Sequence, residues 1–125
     1  MDGVNVTNVT SKVVLLGDNN FHAGKITLAA GAKLASGAIL KRGSEENEFT
    51  EATSADEYAA VNPFEIENKT GASKVFGIRA CMDGRVRMDM LRVGTATVTA
   101  ADVDRLRKVG ILPMKVTDLS HLDNQ

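Results

Sequence analysis

Apolar and polar residues alternate in short runs along most of this chain, and one stretch near the end changes to a helical spacing. Ile26-Thr27-Leu28 and Ala38-Ile39-Leu40-Lys41 have the length of short strands, with Gly31 and Gly37 between them as turn or kink positions. Lys74 to Cys81 (KVFGIRAC) and Arg85 to Val93 (RVRMDMLRV) read as two further strands, and the Asp83-Gly84 pair between them predicts a tight hairpin, because Gly takes positive φ at little cost. Alternation puts Arg85, Arg87 and Asp89 on one face of the second run and Val86, Met88 and Met90 on the other. The helical stretch is Ala100 to Val109. Thr99 is its predicted cap, Asp102 sits where the dipole favours an anion, and Gly110 permits a left-handed exit. Val103, Leu106 and Val109 make one narrow apolar stripe, so this helix must dock on a sheet to persist. Ile111 to Val116 predicts a closing strand, with Pro113 tolerable at an edge or bulge.

The remaining segments are weaker in pattern. The acidic stretch reads as a loop relieved by a short strand at Glu57 to Val61, and Asn62-Pro63 marks a turn before Phe64 to Glu67. Residues 1–20 predict an extended N-terminal arm, rich in Val, Thr and Asn and ending in Gly-Asp-Asn-Asn, that has little to bury alone. Residues 21–116 predict a β-rich body and residues 117–125 a polar, flexible tail. The expected class is α+β, mainly β: a small curled sheet or partial barrel with one short C-terminal helix and that arm.

Composition sharpens the expectation about assembly. The chain has 125 residues, enough for one domain, but no Trp, one Tyr and four Phe, so its core rests on aliphatic residues that bury less area each. Modest monomer stability and an oligomer are expected from this. Cys81 is the single cysteine, which excludes an internal disulfide and predicts a packed thiol in an apolar strand. Charge is unevenly spread. From Ser44 to Asn68 there are eight acidic residues and no basic one, which fits either a solvated loop or a surface that steers a complementary partner.

Motifs for chemistry are missing. No phosphate-binding glycine loop, dinucleotide fingerprint, paired His or Gly-x-Ser-x-Gly occurs, and His22 stands alone. An enzyme is not expected, nor a cofactor or metal. Arg79, Arg85, Arg87 and Arg92 read as the solvated face of a half-buried sheet, since a nucleic-acid surface needs more basic excess and stacking aromatics. No run approaches the ~20 apolar residues of a membrane helix, and the start lacks a signal-peptide pattern, so neither nucleic acid nor membrane is an expected partner.

The order of segments carries a resemblance. A strand-prone arm leads into Ala30 to Gly43 (AGAKLASGAILKRG), then the Tyr58-bearing run, the KVFGIRACMDGRVRMDMLRVG segment, and a helix and strand around A-A-D-V-D-R-L-R-K-V-G-I. Over roughly residues 25 to 116 this resembles the head decoration, or capsid-stabilising, proteins of tailed bacteriophages. The resemblance implies a homotrimer on the outer surface of an expanded shell, a virion protein made in the host cytoplasm that cements capsomers of the major capsid protein against internal DNA pressure. It also implies an N-terminal arm that extends a coat-protein sheet. The residues expected to do so are Val4, Val6, Val9, Val13, Val14 and Leu15, as the strand-forming side chains of an otherwise unpaired segment. The acidic segment and the lack of Trp depart from the lambda phage member. A biotinyl-type carrier is the alternative, but its exposed lysine turn is poorly matched by Lys33 or Lys115.

Overall fold

The computed structural model describes residues 15–54 and 56–115. Among these residues ten strands and one α-helix follow in order: β1 Leu15–Leu28, β2 Lys33–Leu34, β3 Ile39–Arg42, β4 Phe49–Glu51, β5 Ala60–Val61, β6 Ile66–Glu67, β7 Lys74–Arg87, β8 Arg92–Val93, β9 Ala96–Thr97, α1 Ala100–Lys108 and β10 Ile111–Met114. The α+β, mainly β expectation stands. One curled sheet runs β1-β7-β5-β3-β4, with β10 added in parallel to β7, and two small pairs, β2-β6 and β8-β9, lie outside it. A single bridge between Lys25 and Glu48 brings the two ends of the curl together.

The long antiparallel pair β1-β7 is the frame, and it corrects two expectations. Asp83-Gly84 is not a hairpin turn: β7 passes straight through it, and Arg85–Arg87 belong to the same strand as Lys74–Cys81. The body does not begin at residue 21 either, because Leu15–Asn20 is already strand β1. Both misreadings have one cause. The turn-like Gly-Asp-Asn-Asn and Asp-Gly sequences face each other in the ladder, pairing Gly17 with Arg85 and Asn20 with Asp83 across register shifts. Gly17 (φ 134°) and Asp18 (φ 56°) form a bulge there, opposite Gly84 (φ 103°). The Asn19 side-chain amide donates to the Asp83 and Arg85 carbonyls at 3.3 and 3.1 Å, replacing ladder bonds that the bulge removes. A Cβ on Gly84 would lie 2.5 Å from the Asp18 carbonyl oxygen, so the close crossing requires glycine.

Beyond Arg87 the predicted alternation stops. Met88–Met90 is one 3-10 turn, so the strand expected to reach Val93 ends six residues early and resumes only as β8. The acidic segment holds more than the strand expected at Glu57–Val61, where β5 lies, since β4 and β6 are in it too. The closing strand ends at Met114, and Val116 lies outside the described residues.

Central strands are buried on both faces, which explains how an aliphatic chain makes a core. Leu40, Ala60 and Ala80 point into the curl with Ile26, Leu34, Phe49 and Ile78. Their neighbours Ile39, Val61 and Cys81 point the other way, joining Val86, Leu91, Leu106 and Ile111 beneath α1. Two buried asparagines tie down the loops: Asn68 donates to the Leu28, Ala29 and Ala72 carbonyls at 2.9, 3.1 and 2.9 Å, and Asn62 to Ala35 at 2.9 Å.

Candidate binding surfaces

The helix was expected to present Val103, Leu106 and Val109 to the sheet. Val103 and Leu106 are buried, but Val109 is 41% exposed, and this part of the expectation is corrected. It falls at the C-cap, where φ −107° and ψ 10° take the chain off helical geometry and turn the side chain outward. Asp102 occupies the buried face instead. Its Oδ2 accepts from the Thr99 backbone N–H and hydroxyl at 2.9 and 3.0 Å, closing a capping box, while Oδ1 accepts the Tyr58 hydroxyl at 2.5 Å. Burial pushes the Asp102 carboxyl up, but the bonds from Tyr58 and Thr99 and the Arg105 charge outweigh it and hold the group below its ordinary 3.8. Burial and the facing carboxylate raise the Tyr58 hydroxyl. Arg105 lies over the Tyr58 ring and donates to the Ser54 carbonyl, so the helix is also fastened to the acidic segment.

A second surface is the outer edge of β1. Its inner edge pairs with β7 throughout, but among the described residues no strand pairs with the other edge between Leu15 and Gly24. Beyond Gly24 the edge is closed by the Lys25 N–H donating to the Asn47 carbonyl at 2.9 Å. Phe21–Gly24 is the regular part, since the register shifts lie before it. Of the expected arm residues, Leu15 is in β1, half-buried against the core beneath α1. Val4, Val6, Val9, Val13 and Val14 lie outside the described residues.

Charged groups expected to be solvated are mostly spoken for. Arg79 lies over the Phe21 ring at 4.8 Å, Arg85 meets Asp18 at 3.0 Å, and Arg87 grips Asp89 through two bonds of 3.1 and 2.8 Å. The acidic segment is partly neutralised within the fold by Lys25–Glu45 (2.6 Å), Lys33–Glu65 (3.9 Å) and Lys41–Asp56 (3.2 Å). Exposed pairs of this kind add little stability but fix which way the loops face. Lys33, the carrier candidate, is thus in strand β2 with a carboxylate partner, while Cys81 is a buried thiol raised by that burial, as its strand position predicted. His22 is exposed and bonds the Asn47 side chain at 2.9 Å.

The described residues contain no group of three metal-ligating side chains and no helix long and apolar enough to cross a membrane. Among the described residues the surface presents the unpaired outer edge of β1 and a depression beside α1. No family model, curated protein or solved structure matches the chain.

Proposed function

We propose that this chain is a structural virion protein that binds the outer face of an expanded tailed-phage shell as a homotrimer and cements neighbouring capsomers of the major capsid protein. One observation carries the reading: among the described residues nothing pairs with the outer edge of β1 from Leu15 to Gly24, directly downstream of a valine-rich segment with no helical stripe. An open edge offers a row of backbone N–H and C=O groups to a coat-protein strand, and proteins that keep such an edge gain main-chain hydrogen bonds from a partner. The aliphatic, aromatic-poor core supports the trimer, because further burial between copies adds to a thin core.

Co-sedimentation with empty expanded shells, built from the coat protein of the same genome, tests the proposal. Removing residues 1–14 spares β1 and should leave a folded protein by circular dichroism, yet weaken shell binding at least tenfold, roughly 1.4 kcal/mol or more. Equal binding by the two proteins, or light scattering that shows a monomer both free and released from shells, contradicts it.

A further inference from the structure

A second strand edge is open, on β7. One side of β7 pairs with β1 throughout, but the other meets β5 only at Cys81 and β10 only from Gly84 to Arg87, so Lys74 to Ala80 has no strand beside it among the described residues. The Lys25 N–H leaves the ladder for the Asn47 carbonyl, so Gly77, which faces Lys25 across that ladder, turns its N–H and C=O to the open side. By alternation Val75 and Arg79 do the same. These groups have no partner among the described residues.

Beside that edge is a groove of about 370 Å³ bordered by Phe64, Ile66 and Ile78 and by Gly77, where an added Cβ would meet nothing. Phe64 and Val75 are 38% and 57% exposed, so apolar surface lies uncovered along it. Asn62, 1% exposed, also lines the groove; its Nδ2 donates to the Ala35 carbonyl, which fixes the amide's orientation, and its Oδ1 accepts no hydrogen bond among the described residues. Unpaired main chain beside apolar walls and a free acceptor is the chemistry that an extended strand satisfies.

Residues 1–14 are such a strand by composition, with Val4, Val6, Val9, Val13 and Val14 among Thr and Asn, no Pro, and only Asp2 and Lys12 charged. Their own molecule is a poor acceptor. β1 begins opposite Val86, and β10 and β5 hold the β7 edge between there and the open stretch. By strand rise and spacing Arg79 is about 25 Å from Leu15, and fourteen extended residues span about 46 Å, which leaves about 20 Å for a detour around β10 and for the strand itself. A neighbouring copy is under no such constraint. We propose that residues 1–14 of a second copy add as a strand to the β7 edge at Val75–Arg79, with valine side chains in the groove beside Phe64 and Ile66. Donor and acceptor are different surfaces, so the contact is heterologous and closes into a ring, and a ring of three is a homotrimer that leaves the outer edge of β1 free.

Amide hydrogen exchange and light scattering of the full chain, without shells, test this. The Gly77 and Arg79 amides should exchange slowly in the oligomer and lose at least tenfold of that protection when dilution gives monomer. Gly77→Pro removes an N–H that β1 does not use, and it should raise the concentration of half-dissociation at least tenfold, as should removal of residues 1–14, whereas Gly77→Ala should associate as the parent does. Fast exchange at Gly77 and Arg79 at every concentration, protection that dilution does not change, or association that either G77P or the removal leaves unaltered overturns the inference. Exchange in the parent chain decides the matter even if G77P fails to fold. Neither measurement reads shell binding, so a chain that behaves as expected here but ignores shells sinks the capsid reading alone, and shell-bound protein with an unprotected Gly77 amide sinks this contact alone.

Discussion

Asp102 joins the helix cap to the core, so its ionisation should be felt in stability. Its carboxyl is held below 3.8, which means that the folded state favours the charged form. The contribution is complete above that ordinary value and is lost as pH falls through the lower folded value, so stability should drop on acidification below about pH 4. Urea unfolding at pH 7 and pH 3 should show this drop reduced in Asp102→Asn; an identical drop in the variant contradicts the linkage. Tyr58→Phe removes the donor to the buried carboxylate and should cost about 1.5 to 3 kcal/mol at pH 7 in the same measurement. The Thr99–Asp102 box was legible because it is local, three residues apart. Tyr58 was not, since nothing in a run of Glu, Tyr and Ala announces a partner 44 positions away. Glycines divide similarly: Gly37 (φ 94°) was read as a turn, but its need for glycine comes from the Met90 carbonyl oxygen, which a Cβ would meet at 1.9 Å. Gly37→Ala should destabilise by about 2 kcal/mol or more, whereas Gly77→Ala, with open space beside it in a strand, should be neutral or stabilise by about 0.5 kcal/mol.

At the scale of elements, α1 is the clearest test of packing. Leu106→Ala should cost about 2 to 4 kcal/mol by denaturant titration, because it empties a site with no solvent exposure. Val109→Ala should change stability by less than about 0.5 kcal/mol, since that side chain is on the surface. Equal costs would mean that the helix packs on the wider stripe that its sequence suggests. The helix was readable from residues 99–110 because cap, spacing and exit agree within one short stretch. The sheet was readable in content but not in connection. Gly-Asp-Asn-Asn and Asp-Gly are strong local turn signals, and the ladder between β1 and β7 turned both into one bulged crossing. The acidic charges concealed β4 and β6, which are short and depend on β3 and β2 for their hydrogen bonds, whereas β5 falls within the strand read at Glu57–Val61.

For the whole molecule, the curl explains how a chain with so few aromatics builds two cores from one sheet, with adjacent residues of β3, β5 and β7 serving opposite sides. The frame is non-local, since β2 to β6 lie between the paired strands β1 and β7. Among the described residues the same curl leaves the outer edge of β1 without a partner strand, and the function proposed for the chain rests on that edge. Electron cryo-microscopy of empty expanded shells mixed with the full chain examines it most directly. The account predicts trimeric density at the three-fold positions, with the β1 edge near Phe21–Gly24 continuous with a coat-protein strand, and reduced occupancy when residues 1–14 are removed. Bare shells, or bound protein whose β1 edge faces solvent at full occupancy with or without those residues, would contradict it.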